Sequence, residues 1–239
     1  MINIYQIYHW LFSNNTEKVI IEILNKNKKK ELNIFDIGCY EGNFSKKINE
    51  NVKKKINFFF FDPNPTIKDK LKDIKFKYKL FNLAIHNTTN DKIEFYLNTK
   101  IEASGSSLVK TVKDSKSYNF SRKLFSFSTK KLFKKILVET MTLDKFVKKE
   151  KLTSIDVLKL DTEGNELNIL KGAKNTLIKT KIVYLEILAK KKFFNSKSNL
   201  IKKILYNNNF NLIYDKKISS STWFTDIKAH DLIFIKDKN

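Results

Sequence analysis

The sequence predicts an α/β domain built on a mostly parallel β-sheet. From Leu32 onward, short apolar runs alternate with segments of helical periodicity, which is typical of such a sheet with helices on both faces. Residues 58–61 are four consecutive phenylalanines, a run that only a strand covered on both faces would hold. The chain has 239 residues, of which 41% are hydrophobic, so it is long and apolar enough to build a domain core.

The predicted elements follow one another as a lead-in and then the domain itself. Residues 1–30 are predicted to be a helical lead-in, with Thr16 capping its second helix, and residues 31–239 form the domain. The predicted strands are 32–37, 56–61, one within 76–85 that ends near 83–85, 92–97, 136–141, 155–160, 181–188, 210–214 and 231–235. The predicted helices are 43–51, 67–74, 142–149, 163–170 and 199–207. Residues 98–135, which are polar and basic with interleaved aromatics, are predicted to be an insertion or lid.

The net charge of +22 comes almost entirely from lysine, since Arg122 is the only arginine among 47 basic residues. The lysines are scattered along almost every segment, whereas a nucleic-acid surface requires clustering and favours bidentate arginine. We therefore interpret the charge as a bias in amino-acid usage and do not expect a nucleic-acid partner. An anionic membrane surface or an anionic substrate stays open as an alternative.

Several features of the sequence indicate a cytoplasmic location. No stretch approaches the ~18 to 20 uninterrupted apolar residues of a membrane span. The first ten residues lack the basic and apolar regions of a signal peptide. Cys39 is the single cysteine, which excludes an internal disulfide and any Cys-based zinc site.

The turn after the first predicted strand has the features of a nucleotide-binding loop. Gly38 lets the chain turn sharply off the strand, and Gly42 lets backbone approach a ligand closely. Asp36 places a carboxylate at the strand end, where it could hold a ligand ammonium directly or through water. Asp62 ends the second strand twenty residues after Gly42, where a carboxylate grips both hydroxyls of an adenosine ribose. A strand–turn–helix junction without a ligand is the alternative.

The acidic character of the loop favours S-adenosylmethionine over NAD. NAD sites need Gly-x-Gly-x-x-Gly to bring backbone against a pyrophosphate, whereas the spacing here is Gly-x-x-x-Gly. Glu41, within the turn, would repel a pyrophosphate. A carboxylate suits instead a cofactor that carries an amino group and a sulfonium.

Four stretches of the chain resemble one known family. They are residues 35–44, 60–65, 142–146 and 155–173, and the strand at 183–187 is also similar. The last of the four resembles a Lys-x-Asp-x-Glu-Gly-x-Glu signature followed by Leu-Lys-Gly-Ala. The family is the FkbM-type methyltransferases, a branch of the class I S-adenosylmethionine-dependent fold. Asp62 departs from the family pattern, which usually has glutamate there, but either acid can accept both ribose hydroxyls.

The resemblance implies a Rossmann-like fold with a seven-stranded, mostly parallel sheet and a final antiparallel strand. It also implies methylation of a hydroxyl, often on a sugar or polyketide-derived acceptor. In such a fold Asp161 would lie near the methyl group, and Asn82 and Ala84 near the adenine. The predicted S-adenosylmethionine site therefore comprises Asp36, Gly38, Tyr40, Glu41, Gly42, Asp62, Pro63, Asn82, Ala84 and Asp161.

Methylation of an alcohol also requires a group that takes the hydroxyl proton, such as a carboxylate, a histidine or a metal-bound group. The catalytic candidates are Asp161, Glu163 and His86, although Glu163 could instead cap the following helix and His86 could be an ordinary loop residue. No spacing amounts to a metal signature. We further expect Glu166 on a helix face, His230 in a turn, and Lys159 paired with an acid inside its buried strand.

Two other functions remain open at this stage. A nucleic-acid methyltransferase is supported by the charge and by residues 98–135. Against this alternative, the chain has residues 161–164 at the position where an Asn/Asp-Pro-Pro-Tyr/Phe motif would be expected, and it lacks that motif. The second is a cofactor-binding scaffold without catalysis. The leading prediction is an O-methyltransferase for a small molecule or glycan. The oligomeric state is not predicted.

Overall fold

In the computed structural model of this chain, the described residues are 16–98, 106, 108, 133–218 and 227–237. The first fifteen residues and most of the predicted insertion lie outside them. The helices are α1 (Thr16–Lys26), α2 (Asn43–Asn51), α3 (Ile67–Lys70), α4 (Leu143–Lys149), α5 (Glu166–Lys171), α6 (Lys174–Ile178) and α7 (Lys191–Tyr206). The strands are β1 (Glu31–Ile37), β2 (Lys55–Phe61), β3 (Tyr78–Phe81), β4 (Ala84–Ile85), β5 (Lys92–Asn98), β6 (Phe133–Met141), β7 (Ile155–Leu160), β8 (Thr180–Lys190), β9 (Phe210–Lys217) and β10 (Ile227–Lys236).

Seven strands form the central sheet in the order β3-β2-β1-β7-β8-β10-β9. The five strands β3, β2, β1, β7 and β8 are parallel to one another, whereas β10 is antiparallel to both β8 and β9. This arrangement confirms the predicted mostly parallel sheet with a final antiparallel strand. The strand order reverses between β1 and β7, and ligands of open α/β sheets bind beyond the carboxyl ends of the strands at such a switch point.

Helices cover both faces of the sheet, as the apolar runs predict. Phe58 and Phe60 of β2 belong to the core beneath α1, α2 and α3. Phe59 and Phe61 belong to the opposite core, which α4, α5, α6 and α7 complete. Successive side chains of a strand point to opposite faces, so the four phenylalanines divide two and two, each with 3% or less of its surface exposed.

A separate three-stranded sheet has the order β4-β6-β5, with β5 and β6 antiparallel. Its strands β5 and β6 include the predicted strands 92–97 and 136–141. Residues 76–85 contain two strands rather than the single one predicted within them, because β3 belongs to the central sheet and β4 to the small one. Asn82 lies at the break. Its side-chain amide donates to the carbonyl oxygens of Asp62 and Asn64 at 2.8 Å each, which turns the chain toward the end of β2.

Two helices are shorter than predicted, and each has a local cause. α3 ends at Lys70 rather than at residue 74, because the Ile74 amide donates to the Leu71 carbonyl three residues back and the backbone tightens into turns. α5 begins at Glu166 rather than at residue 163, because Glu163 and Gly164 have positive φ angles of 54° and 114°.

The C-terminal part of the chain also differs from the prediction. α7 begins at Lys191, well before the predicted start at residue 199. The prediction missed its first two turns because Ser198 interrupts the apolar pattern of its buried face, which consists of Phe194, Ser198, Ile201 and Leu205. His230 lies inside β10 rather than in a turn, since that strand begins at Ile227. Among the described residues, no helix has both the length and the apolar character needed to span a membrane.

Candidate active site

The loop between β1 and α2, residues 38–42, crosses the carboxyl edge of the sheet. Gly38 and Gly42 have positive φ angles of 77° and 69°, in the region that favours glycine. A Cβ on Gly38 would lie 1.9 Å from the carbonyl oxygen of Asp161, so the loop passes directly against the end of β7. Tyr40 also has a positive φ, 46°, which is uncommon for a residue with a side chain and is often found at functional sites.

A buried ion pair joins β1 to β7 beneath this loop. Asp36 is fully buried and accepts hydrogen bonds from Lys159 Nζ at 2.8 Å and from Ser45 Oγ at 2.7 Å. Lys159 Nζ also lies 3.3 Å from the Asp161 carboxylate. Burial acts to lower the pKa of Lys159, but the carboxylates of Asp36 and Asp161 outweigh it and raise that pKa above its ordinary value. Lys159 therefore stays charged.

This ion pair bears on the sequence predictions for Lys159 and Asp36. Lys159 was expected to pair with an acid inside a buried strand, and the structure confirms it. Asp36 was expected to hold a ligand ammonium directly or through water, but both of its oxygens are engaged inside the protein. Direct contact between Asp36 and a ligand is therefore wrong, because the carboxylate faces inward and supports the loop.

Asp62 lies at the end of β2, beside the same loop. Its carboxylate is buried and accepts the backbone amide protons of Tyr40 at 3.2 Å and Asn64 at 2.9 Å. Burial raises the pKa of Asp62 to about 6, and the two amide hydrogen bonds offset only part of that effect. A carboxylate desolvated in this way gains from further hydroxyl donors, such as those of a ribose.

Asp161 and Glu163 are half-buried and lie in the turn that follows β7. Burial raises the pKa of Asp161; Lys159 counteracts this, and Glu163 adds to it. Glu163 stands three residues before α5, whose N-cap is Asn165, so the alternative that Glu163 caps this helix is wrong. The structure brings both predicted catalytic acids to one turn, against the Gly38 loop.

Glu166 is the first residue of α5, and its side chain faces the protein interior rather than solvent. Its side chain is fully buried and accepts the backbone amide protons of Thr162 at 3.3 Å and Gly164 at 2.9 Å. Its second oxygen pairs with Lys197 of α7 at 2.6 Å. The positive φ of Glu163 turns the chain toward this carboxylate. Glu166 therefore holds the turn in place through its hydrogen bonds to the backbone of Thr162 and Gly164.

Two further acids, Glu186 and Asp231, extend the site, and sequence analysis did not single them out. Glu186 of β8 is directly paired with Asp231 of β10. Lys159 of β7 is paired with Tyr184, so the β8 residue level with Asp161 is Glu186. Burial raises the pKa of Glu186 well above its ordinary value, and the charges of Asp161 and Asp231 raise it further. The available signal was a lone acid in the otherwise uncharged run 183–188.

The two added acids differ in their partners. Asp231 accepts hydrogen bonds from Thr16 Oγ1 at 3.1 Å and from the Tyr184 hydroxyl at 3.2 Å. Burial nevertheless raises the pKa of Asp231 to about 6. Glu186 makes no hydrogen bond or ion pair with any residue in the part of the chain that the structure describes.

His86, the third predicted catalytic residue, lies apart from these acids. It follows β4, and its Nδ1 is 3.2 Å from Thr88 Oγ1. Burial lowers the pKa of His86, and the charge that counteracts this is Asp91 rather than Asp161 or Glu163. The structure does not bring His86 together with the acids of the β7 turn, and its role as a base stays a prediction.

The remaining predicted cofactor residues surround the β1–α2 loop and the end of β2. Glu41 and Pro63 are half-buried, Ala84 is buried, and Asn82 is exposed. The Lys70 ammonium lies 5.0 Å from the centre of the Tyr40 ring. Their contacts with a ligand stay predictions.

The site as a whole is a row of carboxylates along the carboxyl edge of the sheet, from β2 through β1, β7 and β8 to β10. Its members are Asp62, Asp161, Glu163, Glu186 and Asp231. Such an edge attracts a cationic ligand and repels phosphate groups. The described residues contain no group of three or more His, Cys, Asp or Glu side chains arranged to hold a metal ion.

Comparison with known proteins relates this arrangement to a family. The family described as "Methyltransferase FkbM domain" matches residues 36–212, a range that includes every predicted site residue. The chain is also similar to the 2-O-methyltransferase NoeI of Sinorhizobium fredii (strain NBRC 101917 / NGR234). The two are 28% identical over 173 residues, which cover 71% of this chain and 68% of the relative.

Among solved structures, the fold is similar to that of magnesium protoporphyrin IX methyltransferase (ChlM) from Synechocystis PCC 6803, solved with bound SAM. The TM-score is 0.51 at 10% sequence identity, and the match covers 99% of this chain and 86% of that chain. At this identity the likeness shows the fold alone.

Proposed function

Since this chain belongs to the FkbM methyltransferase family, it is an S-adenosylmethionine-dependent methyltransferase, and we propose that it methylates a hydroxyl of a small molecule or glycan. The similarity to NoeI, which is named a 2-O-methyltransferase, supports oxygen as the methylated atom. The acidic edge of the sheet supports an acceptor without negative charge.

One observation carries the placement of the cofactor. The carboxylates of Asp62 and Asp161 end two strands, β2 and β7, that flank β1, and the glycine loop runs between them. Neighbouring strands are about 4.8 Å apart, so the two acids are separated by roughly 10 Å across the edge. That span suits a cofactor with ribose hydroxyls at one end and an ammonium and sulfonium at the other.

Each residue then has a defined proposed role. Asp62 accepts the ribose hydroxyl protons, and backbone of residues 38–42 lies along the cofactor. Asn82 and Ala84 border the adenine. Asp161 faces the cationic end, where its negative charge is favourable. Asp36 and Lys159 contribute indirectly, because their ion pair holds β1 and β7 in register beneath the loop.

The bound cofactor supplies a methyl group already activated on a positively charged sulfur, so the protein has to align the acceptor and exclude water. The acceptor hydroxyl must also lose its proton to a nearby group. The Asp161 carboxylate is already paired with Lys159. Glu163 lies in the same turn as Asp161, whereas His86 lies apart from it beside Thr88.

The distribution of lysines weighs against the nucleic-acid alternative. A depression at the amino ends of β1 and β2 is lined by lysines on two segments. They are Lys28, Lys29, Lys30, Lys53, Lys54 and Lys55. This basic surface lies at the edge of the sheet opposite to the active site. A phosphate backbone would therefore meet carboxylates where the methyl group is transferred.

The proposal is tested with S-adenosylmethionine and a panel of methyl glycosides and oligosaccharides, each paired with its 2-deoxy counterpart. Release of S-adenosylhomocysteine and mass spectrometry report methyl transfer. We expect one methyl group on at least one sugar of the panel; its absence from the matched 2-deoxy sugar would identify the 2-hydroxyl as the acceptor, and transfer to both would identify another hydroxyl. Transfer to RNA or DNA alone would support the nucleic-acid alternative. Tight cofactor binding without transfer to any acceptor would support a scaffold.

A further inference from the structure

We infer that Glu186 takes the proton from the acceptor hydroxyl, an inference that rests on the proposed methylation of oxygen. The ends of β2, β1, β7 and β8 follow one another along the edge of the sheet. With the ribose at Asp62 and the sulfonium at Asp161, in-line attack brings the acceptor from the side opposite to the leaving sulfur, over β8. Glu186 lies on that strand, level with Asp161 and about 4.8 Å beyond it.

Glu186 also shares a face of the sheet with the rest of the site. Lys159 and Tyr184 are paired across β7 and β8, and Glu186 stands two residues after Tyr184. Because side chains alternate along a strand, Lys159, Tyr184 and Glu186 point to the same face. Asp161 is on that side as well, since its carboxylate reaches Lys159.

The neighbouring carboxylates are already engaged by partners. Asp161 is paired with Lys159, and Glu166 with Lys197. Asp231 accepts hydrogen bonds from a threonine and a tyrosine hydroxyl. Glu186 is half-buried and has no such partner among the described residues, so its oxygens are available to an incoming hydroxyl.

Lys159 lies on the same face of the sheet as Glu186, but the charges that raise the pKa of Glu186 are negative. They come from Asp161 on β7, Glu163 and Glu166 at the following turn and helix, and Asp231 on β10. Burial and these charges hold the pKa of Glu186 well above that of an exposed glutamate. A general base is most effective when its pKa lies near the working pH, which a glutamate in water does not achieve.

Methyl transfer to the acceptor is coupled to loss of the acceptor proton. The acceptor oxygen forms a bond to the methyl carbon while the carbon–sulfur bond breaks and its electron pair stays on sulfur. The products are a methyl ether and neutral S-adenosylhomocysteine. The proton of the acceptor hydroxyl passes to the Glu186 carboxylate, which releases it to water after the products leave.

The test compares Glu186→Gln and Glu186→Asp with the wild-type enzyme, on an acceptor taken from the sugar panel. Glu150→Gln is the matched control, because Glu150 pairs with Lys79 outside the site. We expect Glu186→Gln to lower kcat by about 100-fold or more, the usual contribution of a general base. Glu186→Asp should recover part of the rate. Affinity for S-adenosylhomocysteine should stay within about twofold, since the inferred role concerns the acceptor and not the cofactor.

Stability provides a readout that needs no acceptor. Ionised Glu186 opposes folding, so Glu186→Gln should raise the unfolding midpoint at pH 8 by roughly 2 to 5 °C. The gain should shrink at low pH, where Glu186 is protonated in the wild-type protein. Glu150→Gln should show no such gain.

Several outcomes would overturn the role of Glu186. They are an unchanged kcat, a loss of S-adenosylhomocysteine affinity that accounts for the lost activity, or a fall in stability at pH 8. Failure of the proposed function would look different, because the wild-type enzyme itself would then methylate no hydroxyl in the panel. In that case the stability comparison still decides whether Glu186 is a strained site residue or a structural one.

Discussion

Replacing Gly38 by alanine perturbs the contact between the β1–α2 loop, residues 38–42, and the end of β7. The added Cβ would lie 1.9 Å from the Asp161 carbonyl oxygen, whereas a carbon–oxygen contact requires about 3.3 Å. The loop must therefore retreat by more than about 1 Å. That shift strains the hydrogen bonds from Gly38 N to Phe61 O at 2.8 Å and from Asp161 N to Ile37 O at 3.0 Å.

The expected loss of stability has two parts. Alanine at a φ of 77° costs about 1 to 2 kcal/mol, because the left-handed region is unfavourable for a residue with a Cβ. Weakening two backbone hydrogen bonds costs about 1 kcal/mol each. Gly38→Ala should thus lower the free energy of unfolding by about 3 to 4 kcal/mol, and cofactor affinity should fall as the loop moves.

Gly42→Ala is the matched control. Its φ is 69°, so the backbone strain is similar, but the added Cβ would approach the Ile74 Cδ1 at 2.6 Å, the end of a flexible side chain. We expect a loss of only about 1 to 2 kcal/mol. Urea unfolding of both variants, with calorimetric titration of S-adenosylhomocysteine, measures the difference. Equal losses for the two variants would refute the view that the loop is fitted against Asp161.

Three other substitutions or conditions test the interior of the site. Lys159→Met should destabilise the protein by about 3 to 5 kcal/mol because it leaves Asp36 buried without its cation; a double variant with Asp36→Asn should recover part of the loss in urea unfolding. Affinity for S-adenosylhomocysteine should fall as the pH drops below about 6, since ribose binding favours the ionised form of Asp62. Asp62→Asn should weaken binding by about 1 to 3 kcal/mol and abolish this pH dependence, and calorimetry that shows the same slope in both proteins would contradict the assignment. Glu166→Gln should cost about 2 to 3 kcal/mol of stability and lower kcat, since the turn before α5 loses an anchor and Lys197 its partner; a variant with wild-type unfolding and turnover would show that the turn holds without it.

The parts of the fold predicted best are those with regular apolar periodicity. β7 matches residues 155–160, a short run that is buried at every position, and α2 matches residues 43–51, whose buried residues recur at helical spacing. Lys159 was also predicted correctly, since a charge inside such a strand requires a partner. These inferences depend on neighbours in sequence and on one general rule about buried charge.

Other features depended on contacts between distant segments. Glu186 and Asp231 meet only because β10 inserts antiparallel between β8 and β9, and nothing local to either residue specifies that pairing. The burial of Glu166 was not predicted, because the positive φ of Glu163 redirects the chain just before it. Asp36 was expected to face a ligand because its inward partner, Lys159, is 123 residues away in sequence.

The contact of Lys197 with the β7 turn has a consequence for protein engineering. Its ammonium donates to the Gly164 and Leu188 carbonyl oxygens at 2.7 and 3.0 Å as well as to Glu166, so one side chain of α7 fastens the turn after β7 to β8. A chimera that takes the chain after β8 from a relative, to change the acceptor, must retain a cation at this position. A graft without it would alter the geometry of methyl transfer even if the new acceptor pocket were formed correctly.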